Sequence, residues 1–296
     1  MSMFLRALAA FAVILCLWPS AAWADTSSQE ETWETQVGQQ HYMEYLRRGQ
    51  IVPSQSPLYA ALNPIGDAVA AVANRQYFTP FHFLLLNDPT PNAFSMPGGN
   101  VYVTTALLSF VKHRDELAGV ICHEVNHDIH HDMYDVTQLG RSPQDPNAIS
   151  YERAAETNAD RAGAYLCAKA GFNPWGMVWN LRQHRQAMGD AGSGPDHPSD
   201  EQREADLIAL FQSNKGTFGK FSDDVASAIP LTLPQVAQRQ YSPYPQPQSP
   251  SYPQYPQQYP QYPQQYPQYP QQYQQYPQQQ YPPYPPPPLP PCYPGC

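Results

Sequence analysis

The stretch Asp115-Glu-Leu-Ala-Gly-Val-Ile-Cys-His-Glu-Val-Asn-His127 decides how the rest of the chain is read. Leu117, Val120, Ile121, Val125 and Ile129 recur at helical spacing, so Arg114 to about Tyr134 is predicted to be one helix with an apolar stripe. On that helix His123 and His127 lie about 40° apart around the axis, and both imidazoles can face one ion. Glu124 flanks the same point without having to bind there. This is the residue set of a catalytic zinc site. Zinc takes nitrogen and oxygen ligands in a near-tetrahedral shell, leaves one position to water and lowers the pKa of that water to roughly 7.

Two histidines do not complete a ligand set. A third histidine ten residues after the first is ruled out, because Met133 stands there and His130 occupies the place where that pattern needs glycine. The other option is a carboxylate on a second helix. Glu156-Thr-Asn-Ala-Asp160 lies in a strongly helical segment, Ser150 to Ala170, which Gly171 ends. Glu156 and Asp160 share a face, so one can bind the ion while the other accepts a hydrogen bond from a ligand imidazole and fixes its tautomer. Cys122 points about 100° away from His123 and reads as core. His130 and His131 read as polar residues flanking the site on the same helix.

Outward from this helix the pattern is α+β and helix-rich, not alternating βαβ. Glu30 to Arg48 and Leu58 to Asn74 are predicted helices, the second interrupted near Pro64; Asp200 to Gln212 is the last. Phe81 to Leu86 is a short apolar strand, and the β-branched and aromatic Val101 to Thr104 follows the turn Pro97-Gly98-Gly99-Asn100. Together they predict a small antiparallel sheet. The edge of Val101 to Thr104 is a candidate for holding an extended substrate by main-chain pairing.

The ends differ in kind from this domain, which runs from Asp25 to Ile229. Residues 1–24 read as a signal peptide: Arg6, an apolar run from Ala7 to Trp18, and a small-residue site at Ala22-Trp23-Ala24. The run is shorter than the roughly 20 residues that a spanning helix needs, so an exported chain with no transmembrane segment after cleavage is expected, periplasmic or elsewhere in the cell envelope. The formal charge is −9, and losing Arg6 makes the remainder one unit more acidic. That balance, without a basic cluster, argues against nucleic acid as a partner. Residues 230–296 form a low-complexity tail. From Tyr241 onward it holds no charged residue and more than half of the chain's 35 prolines and 21 tyrosines, a density that excludes helix and central strand and predicts disorder. Such a tail can tether an envelope or cell-wall partner, or act as a spacer. Cys292 and Cys296 can close a small loop around Pro294-Gly295 in an oxidising compartment.

Several blocks in one order carry a resemblance: Asn92-Ala-Phe-Ser-Met-Pro-Gly-Gly-Asn-Val-Tyr-Val103, then Asp115 to His127, then Glu156 to Asp160, then Asn173-Pro174 and His197-Pro198 with Arg203. From about Glu34 to Arg203 the chain resembles the HtpX and CAAX prenyl protease family of gluzincin metallopeptidases, nearest to its exported BepA-like and LoiP-like quality-control members. The resemblance implies a zincin-like fold, and one zinc ion per chain at His123, His127 and Glu156. It further implies Glu124 as general base, Asp160 hydrogen-bonded to a ligand, and unfolded or misassembled envelope proteins as substrate. His197 resembles the histidine that the family places near the metal, either assisting the transition state or plugging the open position. Arg203 sits where it can anchor that segment or pair with a carboxylate. The chain departs from the family at Asn126, where a small residue is usual, and in its tail. The rival reading is a non-catalytic envelope interaction protein, with the zinc fold as scaffold and the tail as its working part.

Overall fold

The computed structural model describes residues 26–138, 145–189 and 197–234. The expected signal peptide, the Tyr-Pro-Gln tail and the Cys292–Cys296 pair lie outside the described residues. The elements are α1 (Thr26–Arg47), α2 (Tyr59–Ala73), β1 (His82–Leu86), β2 (Ala93–Met96), β3 (Asn100–Thr104), α3 (Thr105–Phe110), α4 (Arg114–Ile129), α5 (Asp132–Gln138), α6 (Pro146–Ala170), α7 (Trp175–Met188), α8 (Asp200–Ser213) and α9 (Lys215–Phe218). The α+β, helix-rich character read from the sequence is what the fold has.

The sheet is mixed rather than antiparallel. Its order is β1-β3-β2, with β1 parallel to β3 (Phe83 opposite Val101) and β2 antiparallel to β3 (Phe94 opposite Tyr102). The sequence reading missed β2 because Ala-Phe-Ser-Met has no β-branched residue. With β2 hairpinned onto β3, β1 can reach β3 only by its other side, and the two run the same way. Val101–Thr104 is therefore the central strand, and the edge that pairs with nothing in the sheet on this side belongs to β2. Gly98 and Gly99 close the hairpin with φ of 84° and 78°, a region that side chains other than glycine avoid.

Several helix boundaries have local causes. Pro64 sits inside α2 without ending it: the acceptor it frees is the Ala60 carbonyl, and both residues are exposed to water. α6 begins earlier than predicted because Asp145 caps it, accepting from Asn147 N at 2.8 Å, with Pro146 at the first helical position. The predicted helix through Tyr134 is two helices. It stops at Ile129, turns through His131 at φ 58°, and restarts at Asp132. α7 was not foreseen; Gly176 in its first turn weakens a helical reading.

α4 lines one core, and its Gly119 lies against Met177, which belongs to a second. Leu117, Ile121 and Val125 face a cluster with Leu62, Ile65 and Val69 of α2 and Leu85, Val101 and Val103 of the sheet. A second cluster joins Met177, Val178 and Leu181 of α7 to Leu207, Leu210 and Phe211 of α8. α6 lies close against α4 at Gly163, where an added Cβ would come within 3.2 Å of the His123 main-chain nitrogen. Leu231 N donates to Lys112 O at 2.8 Å, and Leu231 and Leu233 pack on the first core. Among the described residues no helix is long and apolar enough to cross a membrane.

Gly99 carries both constraints of its turn: positive φ, and a Cβ position 2.6 Å from the Pro80 carbonyl oxygen. Gly99→Ala is expected to cost about 2–4 kcal/mol of unfolding free energy. Gly171→Ala, at φ 88° but in open space, is expected to cost only about 1–2 kcal/mol. Urea melts of the two variants check the difference.

Candidate metal centre

α4 and α6 cross so that His123, His127 and Glu156 point at one another. His123 Nε2 lies 3.0 Å from His127 Nε2 and 3.3 Å from Glu156 Oε2, and His127 Nε2 lies 3.4 Å from Glu156 Oε1. The other nitrogen of each ring faces an acid: His123 Nδ1 is 3.0 Å from Asp160 Oδ1, and His127 Nδ1 is 2.8 Å from Asp132 Oδ2. A neutral imidazole carries one proton. When each Nδ1 gives its N–H to its acid, both Nε2 lone pairs point at each other and at Glu156, the tautomer in which the two rings can bind a metal ion. A proton on Nε2 or a metal cation can fill the space between the three atoms, and the two compete for it. Two imidazole nitrogens and a carboxylate oxygen are the donor set that zinc takes in catalytic sites.

Charge pins the arrangement from behind. Arg203 of α8 grips Asp160 with two bonds, Nε to Oδ2 and Nη2 to Oδ1, both 2.7 Å. Burial raises the Asp160 pKa, but the Arg203 charge and its hydrogen bonds outweigh this and hold it down at about 2. The carboxylate is thus ionised at neutral pH and can accept the Nδ1 proton of His123. Arg203 Nη1 also lies 3.6 Å from Glu156 Oε2. Burial likewise acts against the charged form of Glu156, and His123, His127 and His197 overcome it, leaving its pKa far below the ordinary range.

Glu124 is beside the ligands on α4 and does not join them. Its Oε2 accepts from Ser95 N of β2 at 3.2 Å. Burial pushes its pKa up, opposed by His123 and His127, which suits a group that must take and return a proton near neutral pH. His197, just before α8, places Nε2 3.3 Å from Glu156 Oε1, with 45% of its side chain exposed. It borders the centre on the solvent side. Arg153 Nη1 donates to the His197 carbonyl at 2.6 Å, tying that segment to α6.

All seven residues singled out from the sequence, His123, Glu124, His127, Glu156, Asp160, His197 and Arg203, thus meet at one place. Cys122 is fully buried in the core, as read. His130 and His131 are not on the α4 helix as expected; His130 caps it, and His131 begins the turn after it. Two groups escaped the sequence reading. Asp132 lies five residues past His127, about 140° round a continuous helix, and reaches the imidazole only because the chain breaks at His131. Ser95 acts through its main-chain N–H, which leaves no side-chain signature.

Residues 59–144 match the model of peptidase family M48, a span that includes the two histidines and Glu124. The chain is 29% identical to the beta-barrel assembly-enhancing protease of Escherichia coli K12 over 236 residues, 68% of this chain and 48% of that protein. It is 30% identical to the protein of the same name from Yersinia pestis over 148 residues, 39% of this chain and 30% of that one. It is also 25% identical to the mitochondrial metalloendopeptidase OMA1 of Schizosaccharomyces pombe over 198 residues, 57% and 58% of the two chains. The chain spans half or less of the first two relatives' length.

Two outcomes follow from this geometry. Asp132→Ala and Asp160→Ala should each weaken zinc binding about 10–100-fold, since each frees a ligand imidazole to rotate and change tautomer; chelator competition measures it. Burial lowers the pKa of both ligand histidines, yet their carboxylate partners win. His123 is held above its ordinary value by Glu156 and Asp160, and His127 well above by Asp132 and Glu156. Metal must expel those protons, so affinity falls as pH falls, by about tenfold per pH unit for each proton displaced. The same competition run from pH 8 to 5 reads the slope.

Proposed function

We propose that this chain, which belongs to peptidase family M48, is a zinc-dependent endopeptidase that cleaves unfolded or misassembled proteins of the cell envelope in a quality-control role. The observation that carries the reading is the trio of convergent donors, His123 Nε2, His127 Nε2 and Glu156, with spacings of 3.0–3.4 Å and the Glu124 carboxylate beside it. When bound, the ion supplies a Lewis acid that polarises a peptide carbonyl and acidifies water to a pKa of about 7.

The chain's own residues do the rest. Glu124, held by Ser95 N, takes a proton from the attacking water and returns it to the leaving amine. In an antiparallel ladder alternate residues turn their main-chain groups away from the partner strand; Ser95 is one of these, since its N–H reaches Glu124. The outer edge of β2 therefore lies beside the general base and can align an extended peptide across it. That geometry favours an unfolded segment over a folded surface. His197 stands at the mouth, next to Glu156. There it can donate to the oxyanion of the tetrahedral intermediate, or cover the open position at rest. Export to the envelope completes the reading and is supported by the leader-like 1–24; a partner there for the Tyr-Pro-Gln tail belongs to the same proposal.

Hydrolysis of casein by the purified chain, beside Glu124→Gln with zinc content measured on both, tests the peptidase. Glu124→Gln should keep zinc in this centre and lose about 10²–10⁴-fold in kcat/KM. Equal activity in the two proteins, or no zinc in either, would contradict the reading. With His197→Ala, a rise in activity marks the residue as a cover and a fall marks it as an assistant.

A further inference from the structure

A second set of ligand atoms converges where α1 meets the corner between α4 and α5. Glu30 and Glu34 are four apart on α1 and share a face. His131 turns towards them: its Nδ1 lies 3.0 Å from Glu34 Oε2 and 3.4 Å from Glu30 Oε1. The three ligand atoms all lie within 4.8 Å of one another. Glu34 is 1% exposed, and the Tyr77 hydroxyl donates to its Oε2 at 2.7 Å.

Two features separate this cluster from an ordinary ion pair. The Nδ1 atom of His131 is buried, yet no neighbour among the described residues meets it with hydrogen-bond geometry. The carboxylate oxygens stand at the right distance and in the wrong direction. A shared cation needs the distance alone. His131 is also the one residue other than glycine with positive φ among those described, at 58°. That conformation costs a side-chain-bearing residue roughly 1–2 kcal/mol, and such strain tends to collect at ligand clamps and other functional positions.

We propose that Glu30 Oε1, Glu34 Oε2 and His131 Nδ1 bind a second zinc ion. Bonds of about 2.0–2.2 Å in a tetrahedral shell set ligand atoms about 3.3–3.5 Å apart. The first centre shows 3.0, 3.3 and 3.4 Å, and the second shows 3.0 and 3.4 Å. An imidazole among the donors favours zinc over calcium or magnesium. With 30% of the His131 side chain and 23% of the Glu30 side chain exposed, an ion can enter and water can fill the fourth position. The ion would join α1 to the corner that carries Asp132, the residue orienting His127. Its role is structural, and it stands whether or not the chain is a peptidase.

The test counts zinc on the metal-free full chain by calorimetric titration with zinc salt, with elemental analysis after desalting. Wild type is expected to take two ions, and His131→Gly and Glu30→Gln one each, with affinity for the second ion falling by at least about 100-fold, beyond the loss typical of an outer partner. His131→Gly also removes the backbone strain, and thermal melts are expected to show both metal-free variants folded. His127→Ala is expected to keep the second ion, which counts the two centres separately. One ion on wild type that His127→Ala loses overturns the proposal. So do two ions retained by both His131→Gly and Glu30→Gln, which would mark an adventitious ion only.

Discussion

Two imidazole nitrogens held 3.0 Å apart and facing a buried carboxylate are the constraint on which the rest of the domain depends. Without a proton or a cation between them the three would repel. The arrangement persists because each ring is fastened on its far side, His123 to Asp160 and His127 to Asp132. The centre is thus built to be completed by positive charge. Removing a ring or a carboxylate would leave the others uncompensated, which is why the acids behind the site matter as much as those inside it.

The fold supplies these fasteners from four directions. α4 gives both rings and the base, α6 gives Glu156 and Asp160, α8 gives Arg203, and the broken corner after α4 gives Asp132. Close approach at Gly163 sets α6 against α4, while α8 is positioned through the second core by Leu207, Leu210 and Phe211. The mouth of the site is made by β2, through Ser95, and by His197.

The sequence reading reached the centre because its residues sit at intervals that helices enforce. His123 and His127, and Glu156 and Asp160, are each four apart, and helical spacing fixes their common faces. What it missed obeys no periodic rule. β2 is four residues long and lacks the branched side chains that mark strands, so β1 was read as the antiparallel partner of β3, a place that β2 holds. Asp132 and His131 owe their positions to a left-handed residue in the middle of what looked like continuous helix. Ser95 contributes a main-chain group that any residue but proline would offer. Propensity describes a segment by itself; these features are set by what the segment meets.

The most direct test of the central claim is an anomalous difference map at the zinc edge from crystals of the full chain. The account predicts a peak about 2.0–2.2 Å from His123 Nε2, His127 Nε2 and a Glu156 oxygen, with Asp160 and Asp132 still on the Nδ1 atoms. A fully occupied chain with no peak there, or with either ring turned so that Nδ1 faces Glu156, would contradict it.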